Sequence, residues 1–117
     1  MTKDQQLKPI HPGEILREEL LIPLNISGER LAQELKVEKK IIEEIIAEKK
    51  NISPDIALRL SCYFPQSAQF WLNCQRDYEK DCLEKIEKRD IKKLKTQIHP
   101  YQSAIKKRTD KKVLSLV

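Results

Sequence analysis

The residues of this sequence that could recognise a ligand are lysines and glutamates clustered between residues 26 and 51. Lysine can donate to guanine O6 and N7, and glutamate can accept from cytosine N4, so this mixture suits contact with base edges. Lysines beside a helix can meet phosphates, and a helix N-terminus offers free backbone N–H groups to an anion. The candidate DNA-contacting residues are Ser27, Gly28, Lys39, Lys40, Glu43, Glu44, Lys49 and Lys50.

The apolar residues around these side chains predict two short helices joined by a tight turn. They recur with helical period on one face of each helix, at Leu31, Ala32 and Leu35 and then at Ile42, Ile45 and Ile46. The second helix is expected from about Glu38 to Ala47. This plan is typical of a helix-turn-helix, whose second helix lies in the DNA major groove. Lys39 and Lys40 would then reach base edges, and Lys49 and Lys50 would reach phosphates.

The charge distribution complicates this prediction. The second helix is acidic at Glu38, Glu43, Glu44 and Glu48, and pairs four residues apart, Lys39–Glu43 and Lys40–Glu44, would partly neutralise each other. Residues 1–75 hold 10 Lys/Arg and 11 Asp/Glu, net −1, whereas residues 76–117 hold 13 Lys/Arg and 7 Asp/Glu, net +6. The basic surplus therefore belongs to the C-terminal part. A solvated helix face that reads no DNA remains an alternative.

Proline and serine positions predict where the helices in the rest of the chain begin and end. Pro12 suits a first helical turn, and that helix is expected to run to about Ile22, where Pro23 stops it. Ser27, Ser53 and Ser67 are predicted to start the following helices. No region alternates with period two, so an all-helical protein is predicted.

Four segments resemble the HigA/VapI family of antitoxins, a branch of the Xre/Cro-like helix-turn-helix proteins. They are His11–Glu19 (HPGEILREE), the hairpin, Asp55–Leu60 (DIALRL) and Phe70–Asn73 (FWLN), within about residues 9–80. The resemblance implies an all-α, five-helix lambda-repressor-like DNA-binding domain with a C-terminal helical extension. It also implies a dimeric antitoxin of a type II module that binds a RelE/HigB-like mRNA-cleaving toxin and represses its operon at operator DNA. Family members usually carry Asn-Gly after the second hairpin helix, where this chain has Ala47-Glu48. The helix is therefore expected to extend by a turn or to end without a left-handed cap.

The expected organisation has four parts: a flexible arm (1–10), a helix-turn-helix domain (11–76), a C-terminal helical extension (77–100), and a tail (101–117) that could be disordered. Phe70, Trp71 and Tyr78 are large aromatic residues, and the two interpretations for them are the core or a homodimer interface. A helix-turn-helix protein needs two recognition helices roughly 34 Å apart, which also favours a dimer.

No pattern points to catalysis, a cofactor or a metal. Cys62, Cys74 and Cys82 match no zinc or redox spacing, and His11 and His99 each precede a proline at a predicted helix end. No apolar run approaches the roughly 20 residues that cross a bilayer, so a soluble cytoplasmic protein without membrane contact is expected. Two alternatives remain open: a stand-alone Xre-like regulator without a toxin, and a protein-binding module that has lost DNA recognition.

Overall fold

A computed structural model describes residues 8–101 of the chain and contains five helices and no strand within them. The all-helical prediction is therefore confirmed for this part. The predicted N-terminal arm lies outside the described residues for its first seven positions, and the tail lies outside them from residue 102 onward.

Helix α1 is formed by three consecutive segments, Pro12–Ile15, Leu16–Leu21 and Ile22–Leu24. The middle segment is π-helical, and the backbone N–H of Ile22 donates to the carbonyl of Arg17. In a regular α-helix, the ring of Pro23 would collide with the carbonyl four residues earlier, and the wider π turn relieves that collision. The prediction that Pro23 stops this helix is therefore wrong. The helix ends at Leu24, where Asn25 adopts a left-handed φ of 58°.

The remaining helices are α2 (Gly28–Leu35), α3 (Lys39–Ile46), α4 (Pro54–Tyr63) and α5 (Ala68–Gln97). The three predicted serine starts are confirmed. The hydroxyl oxygens of Ser27, Ser53 and Ser67 accept backbone N–H groups three residues later, at 3.0, 3.2 and 3.0 Å respectively. Each hydroxyl satisfies one of the N–H groups that a helix start leaves without an internal partner.

The core lies where the first four helices meet the start of α5. Trp71 is its largest member and is completely buried, together with apolar residues from every other helix. The predicted core faces of the hairpin are confirmed for the buried Leu31, Ala32, Leu35, Ile42 and Ile45, while Ile46 is half-buried. Burial of this apolar surface is the main favourable contribution to the fold.

Helix α5 begins in the helical domain and continues past Glu84. The chain divides into two units, one ending at Glu84 and the other beginning at Lys85, and α5 is continuous through this division. From Lys85 to Tyr101 every residue is exposed except Asp90 and Ile91, which are half-buried. No helix among the described residues is both long enough and apolar enough to cross a bilayer.

Candidate nucleic-acid interface

The α2–α3 hairpin turns at Lys36, which adopts a left-handed φ of 62°. The next backbone N–H, that of Val37, donates to the carbonyl of Ala32 at 3.0 Å and closes the end of α2. Arg59 of α4 adds a second restraint, because its Nη1 donates to the carbonyl of Leu35 at 2.7 Å. The turn is therefore held both by its own backbone and by a guanidinium from another helix.

The end of α3 is held in a similar way by Arg17 of α1. Its Nη1 donates to the carbonyl of Ile46, and its Nη2 lies 3.2 Å from Oε2 of Glu48. Hydrogen bonds to the carboxylates of Glu18 and Glu48 raise the pKa of Arg17. The guanidinium therefore satisfies a terminal carbonyl and places positive charge at the negative end of the helix dipole.

Glu48 supplies a left-handed cap at the end of α3. Its φ is 65°, and the following N–H, that of Lys49, donates to the carbonyl of Glu44 at 2.8 Å. The expectation that α3 would extend by a turn or end without this cap is therefore wrong. A left-handed non-glycine residue costs roughly 1–2 kcal/mol, and the ion pair between Glu48 and Arg17 offsets a part of that cost.

Gly13 allows α1 to approach α3 closely. A Cβ atom at Gly13 would lie 1.8 Å from the carbonyl oxygen of Ile45, so no other residue fits there without a backbone shift. His11 lies two residues earlier, and its buried Nδ1 accepts the Gly13 N–H at 2.8 Å. Burial lowers the pKa of His11, and the charge of Glu48 opposes that shift. The start of α1 is thereby fixed against the end of the second hairpin helix.

The loop after α3 is anchored to α5 by Gln75, whose amide side chain is buried. Its Oε1 accepts the backbone N–H of Ile52 at 2.9 Å, and its Nε2 donates to Glu79 at 3.2 Å. Glu79 in turn accepts from the side chain of Asn51 at 3.4 Å. Lys49 and Lys50 therefore belong to a loop that is fixed at its far end.

The structure places the predicted reading residues on the outer side of α3. Lys39, Lys40 and Glu43 are exposed and Glu44 is half-buried, while Lys49 and Lys50 are exposed in the loop beyond. Lys39 lies 3.7 Å from both Glu29 and Glu43, so the predicted Lys39–Glu43 pair is confirmed. In the described part of the chain, no acid lies within ion-pair distance of Lys40, Lys49 or Lys50. The charges of these three lysines are therefore available to a polyanion.

Ser27 and Gly28 lie at the start of α2, beside the outer face of α3. The Ser27 hydroxyl is already used by the N–H of Arg30, so the donors left for a phosphate are the first backbone N–H groups of the helix. A Cβ atom at Gly28 would lie 3.1 Å from Cδ1 of Ile46 and 3.9 Å from Cγ of Glu43. The geometry thus brings the start of α2 next to the reading helix.

The three residues assigned to a dimer interface have different environments. Trp71 is completely buried in the core of the protomer, which agrees with the first of its two interpretations and leaves no side-chain surface for a partner. Its ring lies edge-on to Phe70, with centroids 5.1 Å apart, and Phe70 is 38% exposed. Tyr78 is half-buried and packs edge-on against His11 at 4.8 Å. Phe70 is therefore the member of this set that offers free aromatic surface.

Sequence reasoning missed the residues that hold the interface rather than touch a ligand, namely Arg17, Arg59 and Gln75. For the two arginines, the signal available was adjacency to a core position. Arg17 follows the buried Leu16, and Arg59 precedes the buried Leu60. The cysteines are free thiols, and no group of three metal-ligating side chains occurs within residues 8–101.

Individual proteins and solved structures, rather than a family model, show the relatives of this chain. No family model matches the chain. Virulence-associated protein I of Dichelobacter nodosus is 49% identical over 74 residues, which are 63% of this chain and 68% of that protein. The solved antitoxin HigA of Pseudomonas aeruginosa, with the higBA promoter, is 42% identical with a TM-score of 0.65. The match covers 81% of this chain and all of that one.

A second solved structure, antitoxin GraA in complex with its operator, is 31% identical with a TM-score of 0.65. The match covers 87% of this chain and all of the GraA chain. At this coverage the shared region includes the helical hairpin and the helices that hold it. This chain belongs to the HigA/VapI family of Xre-like helix-turn-helix antitoxins.

Proposed function

We propose that this protein is the antitoxin of a type II HigB/HigA-like module, which binds operator DNA as an autorepressor and neutralises a RelE/HigB-like mRNA-cleaving toxin. The observation that carries the DNA part is the full-length match to a HigA chain solved with its promoter. The geometry supports it, because α3 presents an outer face bounded by lysines and by the start of α2. The role is one of binding, and it places the protein in the cytoplasm, where its operator lies.

In the proposed complex, the outer face of α3 enters the major groove. Lys40 reads a base edge, because among the described residues no acid engages it. Lys39 must first exchange its contacts with Glu29 and Glu43 for a DNA contact, which reduces its net contribution. Lys49, Lys50 and the first backbone N–H groups of α2, at Gly28, hold phosphates and fix the orientation of the helix.

The test is a titration of the protein with its own upstream DNA and with a scrambled duplex, at two salt concentrations. Lys40→Gln should cost about 1–3 kcal/mol on the specific site and leave scrambled DNA almost unaffected. Lys50→Gln is the matched control for a phosphate contact. It should weaken both duplexes alike and reduce the salt slope by about one. A wild-type protein that binds both duplexes equally at both salts would refute operator recognition and favour the protein-binding alternative.

Substitutions of Glu43 and Glu44 test whether the acidic part of α3 contacts bases or only lies near the DNA phosphates. In the same titration, Glu44→Gln should strengthen binding to scrambled DNA if its carboxylate is repelled by phosphates. It should instead weaken binding to the upstream DNA alone if the carboxylate accepts from a cytosine N4 group. Glu43 is exposed and already paired with Lys39 at 3.7 Å, so Glu43→Gln is the comparison for a carboxylate whose charge is partly neutralised within the protein.

The toxin part of the proposal rests on family membership. Co-expression with the adjacent open reading frame is the test. The neighbour alone should arrest growth, and this protein should restore it. Growth arrest that persists when this protein is present at equal or higher level would contradict the antitoxin role. A neighbour without any toxicity would favour the stand-alone regulator.

A further inference from the structure

The part of α5 beyond Glu84 carries a strong and one-sided positive charge. Between Lys85 and Gln97 there are six cations and two anions, which gives a net charge of +4. The cations are Lys85, Lys88, Arg89, Lys92, Lys93 and Lys95, and all of them are exposed. By contrast, α3 from Lys39 to Ile46 has two lysines and two glutamates, so its net charge is zero.

The helical period sorts these charges onto separate faces. Lys85, Lys88, Lys92 and Lys95 follow one another at intervals of three, four and three residues, which aligns them along one side of the helix. At 100° per residue, the two anions, Glu87 and Asp90, fall on the side that carries Ile86 and Leu94. We call the side with the four aligned lysines the cationic face.

Within residues 8–101, the cationic face has no acidic partner. Arg89 forms an ion pair with the adjacent Asp90, with 3.0 Å between Nε and Oδ1. No acid of the described residues lies within 4.0 Å of the lysines of the cationic face, which are Lys85, Lys88, Lys92 and Lys95. Four aligned lysines without neutralising acids repel one another. Their charge is therefore free to displace counterions from a polyanion.

We infer that the cationic face is a second DNA-binding surface, which grips the phosphate backbone of duplex DNA without reading its sequence. From Lys85 to Lys95 the helix rises by about 15 Å. Duplex DNA presents one negative charge per roughly 1.7 Å of its axis, both strands counted, so several phosphates lie within a span of this length for the long, flexible lysine side chains to contact. The reading helix itself is neutral from Lys39 to Ile46, so this surface adds electrostatic affinity to that of the phosphate contacts proposed for Lys49 and Lys50.

This inference rests on the proposed function as a DNA-binding antitoxin, and one experiment separates the two. The variant Lys88→Gln/Lys92→Gln/Lys95→Gln is titrated with the upstream duplex and with the scrambled duplex over a range of salt. The expected result is a parallel decrease in affinity for both duplexes. Each phosphate contact contributes about 0.9 to the slope of log K against log salt, so removing three should make that slope shallower by about 2.7 per protomer. The preference for the upstream duplex should not change.

The matched control is Lys88→Arg/Lys92→Arg/Lys95→Arg, which keeps the charge and should retain both affinities and the salt slope. An unchanged slope in the glutamine variant would overturn the inference. So would a decrease confined to toxin binding in a pull-down with the neighbouring gene product, because the face would then bind protein. A wild-type protein with no preference between the duplexes would instead refute operator recognition by α3, while the slope difference would still show the phosphate contact.

Discussion

At the scale of single residues, the hairpin depends on a few left-handed backbone conformations. These conformations cost free energy because residues other than glycine adopt them. The chain has two glycines, and both lie at helix starts. The left-handed positions at three helix ends are occupied by Asn25, Lys36 and Glu48. Each non-glycine residue in that region costs free energy that the surrounding contacts must offset. Gly13 does not occupy such a position. It lies where α1 and α3 approach so closely that a Cβ atom would collide with the Ile45 carbonyl.

Gly13→Ala should destabilise the protein by about 1–3 kcal/mol or more, because the new methyl group collides with the rigid carbonyl of Ile45. Gly28→Ala is the matched control, since its methyl group meets the flexible end of Ile46 at 3.1 Å. Chemical unfolding monitored by circular dichroism measures both. Equal stability of the two variants would contradict the close approach that the structure shows.

His11 should make stability depend on pH in the mildly acidic range. Burial lowers the pKa of His11 from its ordinary value of 6.5, so the unfolded chain binds a proton at higher pH than the folded one. The contribution of neutral His11 to the free energy of unfolding is therefore fully present above about pH 6.5. It decreases as the pH falls from there toward the pKa of His11 in the folded protein. The negative charge of Glu48 raises the pKa of His11 and opposes this effect, and the ring of Tyr78 packs edge-on against the imidazole.

The measurement compares the free energy of unfolding of the wild type and His11→Asn between about pH 7.5 and 5.5. Asparagine keeps a cap acceptor for the Gly13 N–H but does not titrate. The wild type should lose stability relative to the variant as the pH falls. A constant difference between the two proteins across this range would show that His11 does not change its charge state on unfolding.

At the scale of elements, both hairpin helices end on an arginine from outside the hairpin. Arg59 of α4 serves the end of α2, and Arg17 of α1 serves the end of α3. These contacts fix the hairpin against two other helices, since Arg17 links α1 to the end of α3 and Arg59 links α4 to the end of α2. In both contacts a charged guanidinium donates a hydrogen bond to a carbonyl at a helix end. Such a hydrogen bond contributes more to stability than an exposed ion pair between side chains.

Arg17→Met keeps much of the apolar stem and removes the guanidinium, so the Ile46 carbonyl is left without its donor and Glu48 without its partner. We expect a decrease of about 1.5–3 kcal/mol in the free energy of unfolding. Arg30→Met is the matched control, because Arg30 pairs with the exposed Glu34 on its own helix, and it should cost less than about 0.5 kcal/mol. Urea unfolding midpoints compare the two, and equal midpoints would refute the special role of Arg17.

At the scale of the whole molecule, the proposed function requires two reading helices and therefore two protomers. The residue that offers aromatic surface for this purpose is Phe70, which is partly exposed at the start of α5 and lies over the buried Trp71. Aromatic residues, including phenylalanine, are enriched at protein interfaces relative to the rest of the surface. Dimerisation through this face is a prediction that the protomer structure motivates.

Phe70→Asp should raise the dimer dissociation constant by at least about 10-fold, as expected for an anchor worth more than about 1.4 kcal/mol. Leu58→Asp is the control, because Leu58 is 59% exposed on α4 and has no assigned role. Sedimentation equilibrium at micromolar concentration provides the measurement, together with circular dichroism to verify that both variants fold. A wild-type monomer, or equal weakening by both variants, would exclude this face as the interface.

The sequence by itself determined the helices and the location of the hairpin, because both depend on local signals. Serine caps, proline positions and apolar spacing act within a few residues, and they predicted the starts of α2, α4 and α5 and the core face of the hairpin. The family resemblance rested on the same segments. Pro23 misled the prediction, since a π turn within α1 accommodates it.

Only the tertiary structure decided how the hairpin is held and which side chains remain free. The contacts of Arg17 and Gly13 with α3, and of Gln75 with the loop, join residues more than 20 positions apart, and no local pattern specifies such a partner. Packing also placed Trp71 in the core and left Phe70 partly exposed, although the two are adjacent in the sequence. The direction of a side chain within a helical bundle depends on which neighbours bury it, and that is a property of the assembled fold.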